Sequence, residues 1–126
     1  MTQPLYPRAT EREIQSSILS LLAAHRVYAL RVNTMTGWAA GRPVQTHSGG
    51  KGVADIIAFP RGLRNKAGIL EFERPIVLWI EVKSPTGKQS PEQKSFEEHV
   101  TEYGMCYLLA RSVDDVQAWL KGRSIQ

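Results

Sequence analysis

Cysteine is almost missing: Cys106 is the only one in 126 residues. No disulfide framework can form within one chain, and one cysteine with scattered histidines gives no ground to argue a Cys-His nucleophilic site. Histidine is nearly as scarce. His25, His47 and His99 lack the His-x3-His spacing of a zinc site and read as core-edge or outward-facing residues. No apolar run approaches the ~20 residues that cross a bilayer, and the N-terminus lacks the apolar core of a signal peptide. A cytoplasmic protein without membrane contact is expected. Ser48-Gly49-Gly50-Lys51-Gly52 is glycine-rich but lacks the Gly-Lys-Ser/Thr ending of a phosphate-binding P-loop, so it reads as a plain loop. There is no internal repeat, and the length allows one core and not two.

What is present begins with a modest basic excess, 16 Lys+Arg against 12 Asp+Glu, with a net charge of +4 and a pI of about 9.5. Several of the acids have local work to do, so the remaining surface is more basic than the total. That suits a phosphate-backbone partner. Arg31, Lys51, Arg61, Arg64, Lys66 and Lys88 are the cations singled out as DNA-facing; the plain alternative is a set of solvated loop residues.

Residues 1–9 read as a loose arm, 10–122 as a single domain and 123–126 as a tail. Thr10 to His25 is helical, with Ile14, Ile18, Leu21, Leu22 and His25 as its buried stripe. Thr10 and Glu13 fit a capping box, which gives Glu13 a structural task. Glu11 lies along the apolar stripe, where an acid is costly without a partner; favourable placement at a helix N-terminus explains it equally well. Tyr28 to Asn33 is a strand, Thr34 to Gly41 is turn-rich, and Arg42 to His47 is a second strand. Arg61 to Arg74 reads as an insertion. Ser90-Pro91-Glu92-Gln93 starts a helix with a cap, proline at N1 and Gln93 at N3. Its buried stripe is Phe96, His99, Val100 and Tyr103, and Gly104 ends it. Met105 to Ala110 is a buried strand holding Cys106. Ser112 caps a last helix that turns Val113, Val116, Trp119 and Leu120 inward and closes at Gly122.

The chemistry lies between Gly52 and Lys83. Gly52-Val53-Ala54-Asp55-Ile56-Ile57-Ala58-Phe59 and Ile76-Val77-Leu78-Trp79-Ile80-Glu81-Val82-Lys83 read as two apolar strands. Side chains alternate across a strand, so Glu81 and Lys83 share the face opposite Leu78, Ile80 and Val82. With Asp55 on a neighbouring strand, two carboxylates and an ammonium converge. Such a pair can hold Mg²⁺, which keeps part of its water shell for a phosphate substrate. The lysine can orient a water or stabilise charge on phosphorus.

Gly-x-x-Asp followed by a strand carrying Glu-x-Lys resembles the core of the PD-(D/E)xK nuclease superfamily. Three further stretches resemble its VRR-NUC branch, related to archaeal-type Holliday-junction resolvases. They are Glu11-Arg12-Glu13-Ile14-Gln15, Arg31-Val32-Asn33, and Lys83-Ser84-Pro85-Thr86-Gly87-Lys88-Gln89-Ser90-Pro91-Glu92-Gln93. The resemblance runs from about Thr10 to Leu120. One departure is Ala54, where the family often has proline; that proline contributes rigidity and no chemistry.

The resemblance implies an α/β, restriction-endonuclease-like core: a mixed central sheet flanked by helices in the order α-β-β-β-β-α-β-α. It implies Mg²⁺ or Mn²⁺ held by Asp55, Glu81 and the Val82 carbonyl, with Glu11 as a further ligand, direct or through water. Lys83 would position the attacking water. Gln93 would approach the site while also capping its helix. The activity implied is endonucleolytic hydrolysis of branched, flapped or Holliday-junction DNA, leaving 5′-phosphate and 3′-hydroxyl ends. Two symmetric cuts suit a homodimer, and Trp38, Trp119 and Tyr103 offer more large aromatics than one small core requires. The alternatives are a DNA-binding module that keeps the fold without catalysis, and a sequence-specific restriction-type enzyme.

Overall fold

The computed structural model describes residues 9–32, 37–39, 42–44, 51–60 and 76–123. Helix α1 (Glu11–Ala24) is followed by five strands, β1 (Tyr28–Arg31), β2 (Gly37–Ala39), β3 (Arg42–Val44), β4 (Ile56–Phe59) and β5 (Leu78–Val82). Helix α2 (Pro91–Glu102), strand β6 (Cys106–Ala110) and helix α3 (Val113–Arg123) complete the order. The α/β class and the mixed sheet are as expected. The expected sequence of elements gains one strand, β2, which pairs antiparallel with β3 in a small separate sheet. The glycines around Trp38 signal a turn, and pairing with β3 overrides that local signal. The Arg61–Arg74 insertion, with Arg61, Arg64 and Lys66, lies outside the described residues.

The central sheet runs β1-β4-β5-β6. The first two pairings are antiparallel, and β5 runs parallel to β6 with α2 as the crossover. Leu78, Ile80 and Val82 of β5 are buried against Ile14, Ile18 and Leu22 of α1 and Val116 of α3. Each fully buried side chain here contributes about 1.5–3 kcal/mol, so this contact fixes α1 and α3 on one face. On the other face Trp79 meets Phe96 of α2 edge to face at 5.0 Å, with Tyr107 of β6 beyond it at 6.3 Å from Phe96. Among the described residues no helix is long and apolar enough to cross a membrane.

The helix ends explain where sequence periodicity misleads. His25 is the C-cap of α1 and is exposed, not part of the buried stripe; its ring lies 3.3 Å from Gln117. Arg26 follows in the left-handed region (φ 58°), and Val27 N–H returns to the Leu22 carbonyl. This is a Schellman turn with arginine in glycine's usual place. On α2, Tyr103 is likewise the C-cap and is 78% exposed, and His99 is exposed, its ring 2.7 Å from the Ser95 carbonyl. Only Val100 of the expected stripe is fully buried, with Phe96 half-buried. Cys106 is half-buried rather than enclosed, because β6 is an edge strand. Gly122 lies inside α3, which continues to Arg123.

Candidate active site

The register of β4 on β5 pairs Ile56 with Ile80 and Ile57 with Trp79. One step further, Asp55 stands opposite Glu81, so both carboxylates rise from the same face of adjacent strands. Asp55 is held from two sides: its Oδ2 accepts from the Val82 amide at 2.8 Å, and its carbonyl accepts from the Val32 amide at 2.7 Å. Ala54 beside it is fully buried, giving this approach to the strand a packed anchor without proline.

Glu81 is the one polar side chain in the buried set of described residues, only 2% exposed. Its Oε1 accepts from Gln93 Nε2 at 2.8 Å and lies 3.9 Å from Lys83 Nζ. Its Oε2 is buried without any hydrogen-bond partner. Burial pushes its pKa from 4.5 up to about 8, helped by the charge of Asp55 and a carboxyl–carboxyl contact with it, and by Glu11; the Lys83 ammonium opposes the rise. A carboxylate so placed is poorly satisfied by protein alone.

Gln93 does two things at once. In a complete capping box its backbone N–H donates to Ser90 Oγ (3.1 Å) while its Oε1 accepts from the Ser90 amide (2.8 Å). The remaining amide nitrogen reaches Glu81. Helix α2 is pressed close by Gly52, at φ +87°; a Cβ there would fall 2.5 Å from the Glu92 carbonyl carbon. The strand approach to Asp55 and the helix carrying Gln93 are thus in direct contact.

Glu11 is exposed on the first turn of α1, and its Oε1 lies 3.4 Å from the Ser84 amide, just past Lys83. Thr10 Oγ accepts from the Glu13 amide at 3.1 Å as a cap should. The reciprocal bond differs from expectation, since the Glu13 carboxylate takes the Thr10 hydroxyl (3.0 Å) rather than its amide. Glu13 serves the helix end and Glu11 reaches the site loop.

Among the described residues no group of three or more His, Cys, Asp and Glu side chains is arranged to hold a metal ion. Two facing carboxylates nevertheless match what Mg²⁺ takes from a protein, which is one or two acids beside its own waters. The unpartnered Oε2 and the raised pKa of Glu81 both ask for a cation. Asp55 and Glu81, opposite each other on β4 and β5, are the carboxylates that could hold such an ion, and Glu11 stands on the first turn of α1.

Of the cations singled out for DNA, Arg31, Lys51 and Lys88 are exposed. Lys51 pairs with Glu92 at 3.5 Å. Two features had no sequence signal. Gln89 Nε2 bridges Glu97 (3.0 Å) and the Tyr107 hydroxyl (2.9 Å), and burial pushes the Tyr107 phenol up to about 12, so it stays protonated. Arg111, one residue past β6, donates to two carbonyls of the loop after Lys83; in sequence it looks like an ordinary end-of-strand cation.

No protein-family model matches this sequence, and no curated protein sequence matches it. Solved structures do. One described as a VRR_NUC domain superposes with a TM-score of 0.57 at 18% identity, covering 90% of this chain and 97% of its own. Another, a VRR_NUC domain protein, gives 0.52 at 18% identity, covering 91% and 88%. The chain shares the fold of these VRR_NUC domain structures.

Proposed function

We propose that this chain is a Mg²⁺- or Mn²⁺-dependent DNA endonuclease that selects branched or flapped DNA, including Holliday junctions, by shape. The observation that carries the reading is Glu81: a buried carboxylate opposite Asp55, with one oxygen lacking any partner and an ammonium 3.9 Å away. A VRR_NUC fold makes that arrangement meaningful. A bound divalent cation would supply Lewis acidity at the scissile phosphate and a hydroxide-like nucleophile at neutral pH. Asp55 and Glu81 are deprotonated to hold it, with the Val82 carbonyl and, directly or through water, Glu11. Gln93 keeps the Glu81 carboxylate in one orientation. Lys83 aligns the attacking water in line with the leaving 3′ oxygen and stabilises charge on phosphorus. The phosphate diester gains one oxygen from water and the leaving group takes up a proton, giving 5′-phosphate and 3′-hydroxyl ends.

Recognition of backbone rather than base sequence suits so small a domain, and Arg31, Lys51, Arg61, Arg64, Lys66 and Lys88 are the proposed phosphate contacts. A homodimer would supply two cuts; Tyr28, Leu30 and Tyr103, exposed at 66%, 47% and 78%, offer it apolar surface. The test is cleavage of four-way junction, flap, duplex and single-stranded DNA with Mg²⁺, Mn²⁺ or chelator, beside Asp55→Asn. Metal-dependent cleavage of branched DNA that disappears in the variant is expected. Equal activity in chelator, or in Asp55→Asn, would overturn the reading.

A further inference from the structure

We propose that Arg111 is a positioning residue for the reaction: through the turn at Ser84–Gly87 it sets where Glu11 stands relative to Glu81 and Lys83. The inference rests on the nuclease reading above.

Arg111 is itself firmly placed. Its backbone N–H donates to Asp115 Oδ2 at 2.8 Å at the start of α3, and the preceding carbonyl, of Ala110, accepts from the Lys83 amide at 3.0 Å. From that anchor a single guanidinium nitrogen, Nη1, donates to the Ser84 carbonyl (2.8 Å) and to the Gly87 carbonyl (2.6 Å). The turn closes on itself where Gly87 N–H meets the Ser84 carbonyl at 3.1 Å. Charge-assisted bonds of this kind are the strong ones, and here two of them hold both ends of one turn.

The other side of the turn faces the site. The Ser84 amide lies 3.4 Å from Glu11 Oε1. A Cβ added to Gly87 would sit 3.4 Å from the same Glu11 oxygen and 3.4 Å from Lys83 Cδ. The turn is therefore a wedge with the Glu11 carboxylate and the Lys83 stem against it and the Arg111 guanidinium behind it. The Arg111 guanidinium bonds to the Ser84 and Gly87 carbonyls and not to the Glu81, Asp55 or Lys83 side chains, so its influence runs through backbone. Glu11 is exposed on the first turn of α1, and the contact its carboxylate makes with the turn, at the Ser84 amide, is what steers where that carboxylate points.

The experiment uses the full chain with Arg111→Met, Arg111→Lys, Glu11→Gln and the Arg111→Met/Glu11→Gln double variant. At saturating junction DNA, Arg111→Met should lower kcat about 10–100-fold, the range seen when an outer partner of a site is lost, with KM for DNA little changed. Arg111→Lys should recover most of the rate, since one donor atom serves both carbonyls. In the Glu11→Gln background Arg111→Met should cost less than about twofold, because the two changes remove one function. Metal-free amide exchange at Gly87 should accelerate in Arg111→Met and stay slow in Arg111→Lys. A raised KM with a shallower salt slope would make Arg111 a phosphate contact and overturn the proposal. Additive losses in the double variant, or a lower Tm with kcat unchanged, would reduce Arg111 to a stabilising residue and also overturn it. A wild-type chain inactive on every DNA would defeat the nuclease reading, whereas unchanged Gly87 exchange in Arg111→Met would defeat the positioning role alone.

Discussion

Replacing Glu81 by glutamine should abolish cleavage and yet make the metal-free protein more stable at alkaline pH. In the folded chain Glu81 titrates near 8, against 4.5 unperturbed. Between those values the native state holds a proton that the unfolded chain has already lost. Stability therefore falls as pH rises through that interval and levels above it, the reverse of an ordinary salt-bridged carboxylate. At ~1.4 kcal/mol per pH unit the interval amounts to about 5 kcal/mol, an upper bound because water entering the site would screen the charge. The glutamine of the variant has no proton to lose. Its oxygen can still accept from Gln93, and its amide nitrogen would stand where Oε2 now lacks a partner, close to the Asp55 carboxylate.

The assay is urea unfolding of both proteins in chelator at pH 5, 6.5 and 8. The two should be nearly equal at pH 5, and the variant should lead by several kcal/mol at pH 8, at roughly 3–6 °C in Tm per kcal/mol for a domain of this size. Titrations of groups that do not interact with Glu81 cancel in the difference. Added Mg²⁺ should stabilise the wild type at pH 8 and leave the variant unmoved. Parallel pH profiles for the two proteins would refute the argument, because they would mean that Glu81 ionises without penalty.

Two further outcomes separate neighbouring residues. Glu11→Gln should slow cleavage strongly with little change in Tm, while Glu13→Gln should be almost silent because the Thr10 cap keeps its amide partner; a sensitive Glu13 would reverse the assignment. Gly52→Ala should destabilise by at least about 1–2 kcal/mol, from its positive φ alone, and more from the clash with the Glu92 backbone. Loss of activity in Gly52→Ala below its Tm would trace to α2 being pushed off Glu81, whereas a wild-type Tm would show that the close approach carries no strain.

The juxtaposition at the site was legible because it follows from arithmetic on two strands. Glu-x-Lys at the end of an apolar run puts both charges on one face, and an antiparallel neighbour beginning at Asp55 does the rest. Gln93 was legible through Ser90 and Pro91, which set the phase of α2 from its start. The far end of α2 was not, since Tyr103 is a cap and not a helical position. The apolar stripe also misleads there, because half-buried Gln93 and Glu97 occupy inward positions that hydrophobic patterning assigns to nonpolar side chains. Strand β2 is three residues long and exists through pairing with β3 alone. Arg111 acts on backbone carbonyls 24 and 27 positions earlier, a relation no local pattern encodes.

The double engagement of Gln93 restricts what evolution could put in its place. Glutamate closes a capping box as well as glutamine does, yet a second carboxylate 2.8 Å from Glu81 Oε1 would repel it. Serine or alanine would free Glu81 and unfasten the helix together. Only a side chain that accepts at one atom and donates at the next can meet both demands, and its amide cannot be flipped without facing oxygen to oxygen and N–H to N–H. The first turn of α2 and the aim of the Glu81 carboxylate are therefore coupled through one side chain, and a substitution there that alters either alters both.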